Sequence, residues 1–556
     1  MFYILGIDTG GTYTDAVLLE YHNSDVFFVR KKAKAFTTKD DLAVGIKESI
    51  ERLYLTEEER EEITKAVFST TLATNAIVEG FRTNVGLISI GEMPRGEIAT
   101  EYVKTIKGKV NIKGRILVNV NNGEIKKAVT ELLPHVQAFA ITGVASVKNP
   151  LLEQQTAAAV HQICDLPVIC GHELVEDLGY LERTNTAILN AGLLPIINNF
   201  AQAIEYVLKE MRIKAPTFFV RGDGNITEMN VIKEKPIDTV LSGPAASMIG
   251  AINLTKCDDL VIADMGGTTT DTGLALGKRI ELSKTGADVG NWKIKIKSAK
   301  LCTFGLGGDS NITIKNGNIQ VGPQRVLPAC RGGGNVVTPT DLLHFNGEFD
   351  EWDPKLSEKA IKQMAKSANR NVDAFVDDCI NAVVDSAYRN NTIIHQNPEL
   401  PVCAIGAPVS AWYKKVKDKY GIHLIVPDNY SVANAVGCAM AGVEETITIS
   451  IRPGEEGYGY ILHTKVKRQV YVEKAEAING GIKIAKDYLT NEINKQNLEI
   501  GQFTVLCEDI SESKNGLKCT QLKCTIDGLE SDKFEFVGDR FIETKITVRA
   551  TGNMFT

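Results

Sequence analysis

Asp8-Thr9-Gly10-Gly11-Thr12-Tyr13-Thr14-Asp15 recurs in the other half of the chain as Asp264-Met265-Gly266-Gly267-Thr268-Thr269-Thr270-Asp271, and both copies spell D-x-G-G-T-x-T-D. Each copy follows an apolar run (residues 4–7 and 261–263) and precedes another (16–19 and 272–276), so each is expected to form the tight turn of a β-hairpin. The glycines suit a turn whose amides point outward, because they permit φ > 0 and let a ligand approach without a Cβ in the way. Such a nest of amides, with threonine hydroxyls beside it, fits the oxygens of a phosphate. Asp8 and Asp264, at the strand ends, are placed to hold hydrated Mg²⁺, which keeps several waters and takes one or two carboxylates. One such turn could be an ordinary hairpin. Two in the same strand–turn–strand context read as a duplicated nucleotide-binding architecture, with facing loops clamping one polyphosphate. No G-x-x-x-x-G-K-[ST] occurs, and Gly305-Leu306-Gly307-Gly308-Asp309-Ser310 lacks the G-x-G-x-x-G spacing of a dinucleotide fold.

Outward from the first copy, residues 3–90 alternate strands and helices, with strands at 16–20, 26–33 and 85–90 and a helix at 42–53. Strands at 138–142 and 167–170 bracket a helix that Pro150 opens. A long apolar-periodic helix from 186 to 211 is expected to carry the chain out of a first lobe. The second copy restarts the pattern. An Asn316-Gly317 hairpin signal follows, then a helical stretch over 357–394, strands at 401–405 and 424–426 around a helix at 410–420, and a small-residue helix at 432–443. Residues 446–556 alternate Thr, Val, Ile and Lys, with one helix near 482–496, and read as an appended β-rich α+β domain. The expected domains are therefore 1–185, 186–445 and 446–556.

A chain of 556 residues exceeds what one core organises, in keeping with about three domains. Hydrophobic residues make up 44% and charged residues 24%, which suits buried sheets and excludes a disordered or fibrous chain. The balance of 62 basic against 69 acidic residues, a net −7, argues against nucleic acid or anionic lipid as a partner. The eleven cysteines include no C-x-x-C and read as reduced thiols of a cytoplasmic protein. No apolar run is expected to serve as a membrane span, and the N-terminus reads as a strand, without the basic region of a signal peptide.

Paired phosphate hairpins opening two α/β lobes resemble the actin, Hsp70 and sugar-kinase superfamily, whose fold is two related actin-like (ribonuclease H-like) lobes with ATP in the cleft between them. Within it the chain is identified as a member of the hydantoinase A/5-oxoprolinase family over roughly residues 3–445. The matching stretches include Thr70-Thr71-Leu72-Ala73-Thr74-Asn75, similar to the family's H-G-T-T-x-x-T-N, and Glu182-Arg183-Thr184-Asn185-Thr186. Leu241-Ser242-Gly243-Pro244-Ala245-Ala246 and the Asp264 octapeptide are the most specific pair. The resemblance implies ATP-dependent chemistry on a carbonyl. Cyclic amides or imides such as hydantoins and 5-oxoproline are hydrolysed by phosphoryl transfer to the carbonyl oxygen, and relatives serve as subunits of ATP-dependent ketone carboxylases. A non-catalytic, ATP-gated protein is the reading from a different class.

By motif match, Asp8, Gly10, Gly11, Thr12 and Thr14 lie on one side of the phosphates, and Asp264, Gly266, Gly267, Thr268 and Thr269 on the other, with Asp8 and Asp264 as Mg²⁺ ligands. Asp15 and Asp271 are candidates to orient a water or the acceptor, or else cap their hairpins through Asx hydrogen bonds. Gly406 and Ala407 stand where the superfamily has its adenosine loop, or form an ordinary strand-to-helix turn. Gly243 heads a helix whose N–H groups suit an anion, or it belongs to a cap. Thr70, Thr71, Asn75 and Arg183 are the substrate-side candidates, Arg183 as a carboxylate fork or an interlobe salt bridge. His172, beside Glu173, lacks an H-E-x-x-H partner and reads as structural.

The chain departs from the family pattern in three places. Phe68 and Ser69 replace the histidine and glycine before the T-T pair, Asp309 replaces the third glycine of G-G-G-S, and the segment after Pro323 lacks S-A-G. The nucleotide side is thus intact and the acceptor side altered. The chain also carries no B-type region, so a separate B-type subunit fits the reading, and self-association is compatible with it.

Overall fold

The computed structural model describes residues 2–23, 26–38, 41–80, 83–349, 351–454, 458–464, 466–495, 498–513, 516–530 and 540–553. They form two compact units, one of Met1–Gly224 with Met229–Ala441, the other of Asn225–Glu228 with Gly442–Thr556.

In the first unit the octapeptides fold as expected. Strand Phe2–Thr9 pairs antiparallel with Tyr13–Asn23, setting Asp8 opposite Asp15, and Leu260–Met265 pairs antiparallel with Thr270–Leu276, setting Asp264 opposite Asp271. Each turn closes the same way, Gly10 N–H to the Tyr13 carbonyl and Gly266 N–H to the Thr269 carbonyl, both 2.9 Å. The conformational expectation fails, because none of these four glycines has positive φ. Lack of a Cβ matters here for close approach: one on Gly10 would lie 3.0 Å from the Tyr13 carbonyl oxygen, and one on Gly267 3.2 Å from Asp309 Oδ2.

The first lobe is built around Phe2–Thr9, which runs parallel to Ile63–Thr70; Thr217–Val220 extends the sheet beyond that strand, and Val26–Phe36 closes the other edge. Its apolar run reads without alternation because both faces are covered. Tyr3, Leu5 and Ile7 pack with helices Leu42–Glu51 and Tyr180–Glu210, while Gly6 faces helix Ala433–Met440. A second, all-parallel sheet of Val168–Cys170, Ala138–Gly143, Val85–Ile90 and Val103–Ile106 completes this lobe. The second lobe repeats the hairpin-plus-parallel-strand arrangement: Leu260–Met265 runs parallel to Val402–Ile405, over a core with helices Pro354–Ser367, Val372–Arg389 and Val409–Tyr420.

Four sequence expectations are corrected. The helix expected at 186–211 begins at Tyr180, and the next strand, Thr217–Val220, returns to the first sheet, so the first lobe continues past residue 185. That helix is 31 residues long with a mean hydropathy of 1.3, long and apolar enough to cross a membrane, contrary to the expectation that no run would be. It passes that test because it is a core helix, buried along Arg183–Leu194 and again at Ile197, Phe200 and Ile204. The stretch 357–394 divides into three helices, Pro354–Ser367, Val372–Arg389 and Thr392–Gln396, because Asn371 and Asn391 accept backbone N–H bonds as N-caps and restart the chain. The C-terminal helix begins at Lys474, earlier than the expected 482. The Asn316-Gly317 turn, by contrast, is the two-residue hairpin its sequence specifies, with φ 52° and 80°.

The second unit is a six-stranded antiparallel sheet in the order Arg468–Tyr471, Tyr460–His463, Glu444–Pro453, Arg540–Asn553, Glu499–Ser513, Gly516–Leu522. Helix Lys474–Asn494 packs on it through Ala477, Ile478, Ile482, Ala485 and Leu489. Lys474 and Asp509 form a buried ion pair at 2.5 Å.

Two helices with small side chains tie the first unit together. A Cβ on Gly250 would lie 1.8 Å from the Ala433 carbonyl oxygen, one on Gly437 1.7 Å from that of Ala246, and one on Gly6 2.2 Å from that of Ala435. Alanine at 437 would gain about 1 kcal/mol of helix propensity, but that contact forces Ser242–Thr255 and Ala433–Met440 apart, an overpacking cost of roughly 1–3 kcal/mol or more. Gly437→Ala is therefore expected to lower the melting temperature, while Gly442→Ala, where a Cβ meets nothing within 4 Å, leaves it nearly unchanged. Equal effects of the two in thermal unfolding would refute the packing argument.

Candidate functional site

Both hairpin tips open onto one cavity of about 620 Å³, within the ~300–1,000 Å³ range of small-molecule sites. It is lined by Asp8, Gly10, Gly11, Thr12 and Asp15 from the first hairpin, and by Asp264, Gly266, Gly267, Thr268 and Thr269 from the second. Thr71 and Asn75 line it beside the first tip, and Gly406 and Ala407 beside the second. Gly406 has φ +97°, and a Cβ there would lie 2.3 Å from the Met265 carbonyl oxygen and 2.8 Å from Asp264 Oδ1, so only glycine lets strand Val402–Ile405 end against the second tip.

Asp8 is nearly fully buried, and neutral donors hold it: Ser69 Oγ donates to Oδ1, and Asn434 Nδ2 donates to Oδ2 at 2.6 Å and to Asp15 Oδ2 at 3.1 Å. Helix Ala433–Met440 can deliver Asn434 because its small residues bring it against strand Phe2–Thr9. Asp15 Oδ1 is paired with Lys34 Nζ at 2.8 Å. Burial raises the Asp8 carboxyl to about 6, with the Asp15 charge adding to the rise against the Ser69 and Asn434 hydrogen bonds. Burial raises Asp264 to about 7, reinforced by Asp271, Asp8 and Asp15 and opposed by a Ser247 hydrogen bond. The carboxylates of the two hairpins therefore act on each other across the cleft. Lys34 is the one cation ion-paired with these four aspartates among the described residues.

Five sequence candidates do not line this cavity. Arg183 is buried in the first lobe, its guanidinium donating to the carbonyls of Asp177, Gly143 and Val144, so it is neither a carboxylate fork nor an interlobe bridge. Thr70 caps Leu72 N–H through its hydroxyl. Thr14 turns to the Thr37 hydroxyl at 3.0 Å. Asp271 accepts from Thr303 Oγ1 at 2.5 Å. Gly243 stands behind Asp8, where a Cβ would lie 3.7 Å from Oδ1, and the neighbouring Ser242 hydroxyl is bonded to the Thr70 carbonyl.

Sequence reasoning missed Lys34, Ser247, Arg331, Trp352 and Asn434, all of which line the cavity. None sits in a recognisable motif; the topology alone brings them there. Ser69, Asp309 and Arg325 did carry a signal, since all three fall in the departures from the family pattern. Arg325 Nη2 donates to Thr12 Oγ1 at 3.1 Å and to Asp309 Oδ2 at 3.2 Å, joining the lobes at the mouth of the cavity.

His172, read as structural, has a partner distant in sequence. Its Nδ1 lies 2.6 Å from Oε2 of the fully buried Glu153, and with Cys170 these residues form the one group of metal-ligand type among the described residues. The Glu153 carboxylate is already met by the N–H groups of Gly143 and His172.

Residues 183–447 match the family model described as hydantoinase/oxoprolinase, and residues 4–164 match that of the hydantoinase/oxoprolinase N-terminal region. The chain is 28% identical over 378 residues to the caprolactamase subunit alpha of Pseudomonas jessenii, covering 61% of this chain and 53% of that protein. It is 22% identical over 390 residues to the acetophenone carboxylase gamma subunit of Aromatoleum aromaticum, covering 61% of this chain and 52% of that protein. It thus spans about half the length of these relatives. Among solved structures, nucleotide-free acetone carboxylase matches with a TM-score of 0.77 at 17% identity, over 99% of this chain and 88% of that one. The ATP-dependent caprolactamase of Pseudomonas jessenii matches at 0.75 and 21%, over 99% and 87%. These likenesses establish the fold as α/β of the actin-like ATPase type, and the two family models together span most of the sequence: the chain belongs to the hydantoinase/oxoprolinase family.

Proposed function

We propose that the cleft binds Mg-ATP and that the chain is the A-type, ATP-using subunit of an enzyme that hydrolyses a cyclic amide or imide by phosphorylating its carbonyl oxygen. The observation that carries this is the pair of hairpins in identical register, whose glycine-threonine tips and leading aspartates, Asp8 and Asp264, share one cavity. Backbone N–H groups at such tips suit phosphate oxygens.

Mg²⁺ fits the residues present. The donors are hard carboxylate oxygens, which this ion prefers, and burial with mutual repulsion raises Asp8 and Asp264, as expected for a site short of positive charge. Asp8 and Asp264 would hold the ion, and its chemistry there is to neutralise phosphate charge. Asp15, open to the cavity and restrained by Lys34 and Asn434, orients the acceptor or a water. Gly406 and Ala407 border the nucleoside.

A lactam carbonyl is a poor electrophile. When its oxygen attacks the γ-phosphorus, the bond to the bridging oxygen breaks and the electron pair leaves with ADP. A first water then adds at the activated carbon, the C–N bond opens to leave an acyl phosphate, and a second water cleaves that, so that ATP, lactam and two waters give ADP, phosphate and an open-chain amino acid. Phosphoryl transfer asks the protein for positioning and charge stabilisation. The likeness to the caprolactamase subunit alpha supports this reading. The likeness to a carboxylase gamma subunit supports a second, in which the activated species is consumed in ketone carboxylation. Both imply a partner subunit.

Asp8→Ala and Asp264→Ala are each expected to weaken Mg-ATP binding by at least tenfold in calorimetry, and unchanged affinity in both would sink the nucleotide reading. ADP release, with a B-type partner present, against 5-oxoproline, hydantoins, caprolactam, and ketones with bicarbonate separates the two reactions; activity only with ketones would reject the amidohydrolase. A third test concerns pH. The folded-state acidity of Asp264 lies near 7 against an ordinary 3.8, so the folded state holds the extra proton between those values. Stability from this group is therefore lost as pH rises from about 4 to about 7. Asp264→Asn should match the wild type near pH 4 and gain progressively in melting temperature up to pH 8 in the ligand-free chain. A gain independent of pH would contradict the assignment.

A further inference from the structure

Arg325 and Asp309 stand at two separate departures from the family pattern, 16 positions apart, and the fold brings them into contact. Asp309 is nearly buried. Its N–H donates to the Gly267 carbonyl at 2.6 Å and the Gly308 N–H to that of Gly266 at 3.0 Å, so the loop carrying it rests on the second hairpin tip. Arg325 comes from the end of strand Asn318–Arg325, whose register the Asn316-Gly317 turn fixes. Both Nε and Nη2 donate to Asp309 Oδ2, at 3.3 and 3.2 Å, and Nη2 also reaches Thr12 Oγ1 on the first tip at 3.1 Å. The guanidinium is thus pinned along one edge, against both tips at once. Its Nη1 group makes no hydrogen bond among the described residues, and the side chain remains 44% exposed.

Two other cations, Lys34 and Arg331, line the same cavity. Lys34 is paired with Asp15. Arg331 lies over the rings of Phe36 and Trp352, at 5.8 and 5.1 Å, and its charge acts on Asp309 and Tyr13. If the tips hold the phosphates, Arg325 is a positive charge hydrogen-bonded to a tip threonine and anchored by Asp309, with Nη1 still unbonded.

We propose that Arg325 is a catalytic arginine of the phosphoryl transfer, bonding through Nη1 to the γ-phosphoryl group as it moves, with Asp309 and Thr12 as its positioning residues. This rests on the reading of the cleft as a Mg-ATP site. The acceptor oxygen forms its bond to phosphorus, the phosphorus–bridging-oxygen bond breaks with its electrons leaving on ADP, and Arg325 contributes hydrogen bonds without transferring a proton. Such a contact accelerates transfer by being stronger to the moving phosphoryl group than to the γ-phosphate of bound ATP. Arginine suits the role because its planar fork can hold an anchoring carboxylate on one edge and a second anion on the other.

The test compares binding of Mg-ADP with binding of Mg-ADP plus aluminium fluoride, a mimic of the transferring phosphoryl, by calorimetry on the full chain. The wild type should bind the fluoroaluminate complex more tightly. Arg325→Ala should bind Mg-ADP within a few-fold of wild type yet lose about 100-fold of the extra tightening. Arg325→Lys should recover part of it, and Asp309→Asn, which keeps the arginine and frees it, should lose an intermediate amount. Unchanged tightening in Arg325→Ala, or a wild type that binds both ligands equally, overturns the proposal while leaving the nucleotide site intact. Equal loss of both ligands in Arg325→Ala makes the residue a strut between the lobes and also overturns it. A wild type that binds no ADP removes the nucleotide reading and the proposal together.

Discussion

The first unit is organised around carboxylates that repel one another. Burial makes Asp8 and Asp264 reluctant to ionise, the Asp15 charge adds to the effect on both, and Asp8 and Asp271 add to it on Asp264. A cluster of like charges in a poorly solvated site is not a stable end point, since an isolated buried charge costs several kcal/mol or more. The surrounding structure offsets this with neutral donors: Ser69 and Asn434 on Asp8, Ser247 on Asp264, Thr303 on Asp271. These donors fix the carboxylates without cancelling their charge, which suits a site whose counter-charge arrives with a ligand.

Holding that arrangement requires backbones closer than side chains allow. Helix Ala433–Met440 can place Asn434 on Asp8 and Asp15 because Gly6, Gly250 and Gly437 leave no Cβ between it and its neighbours. Stability and site geometry therefore depend on the same contacts. Overpacking at Gly437 would strain the helix that delivers Asn434 to Asp8 and Asp15.

The hairpins, their strands and their aspartates were legible because duplication is a local signal: eight positions, repeated, with apolar runs on both sides. The Asn316-Gly317 turn was legible for the same reason, since its left-handed φ values are set by two residues. What escaped was set by tertiary packing. Arg183, near the start of a core helix, belongs to a family motif and carries a charge, yet its donors go to the backbone carbonyls of Asp177, Gly143 and Val144. Asn434 lies in a run of small residues that read only as a helix, and its role depends on a strand 426 positions away. The break between lobes was misplaced because the helix Tyr180–Glu210 is continuous and apolar, and nothing in its own sequence says that the following strand turns back into the first sheet.

Duplication also misled on one point, and the reason bears on how the cleft works. Asp15 and Asp271 are equivalent in sequence and in register, so they invited the same role. Their surroundings differ. Asp15 faces the cavity between Lys34 and Asn434, whereas Asp271 is bonded to Thr303 and does not reach the lining. The second lobe instead presents Asp309, which has no counterpart in the first octapeptide and brings Arg325 with it. The two hairpins are therefore alike in the tips they present to the cavity and unlike in what stands beyond them. A symmetric pair of loops can clamp a polyphosphate, but transfer runs in one direction, toward an acceptor. That direction has to come from the parts the two lobes do not share.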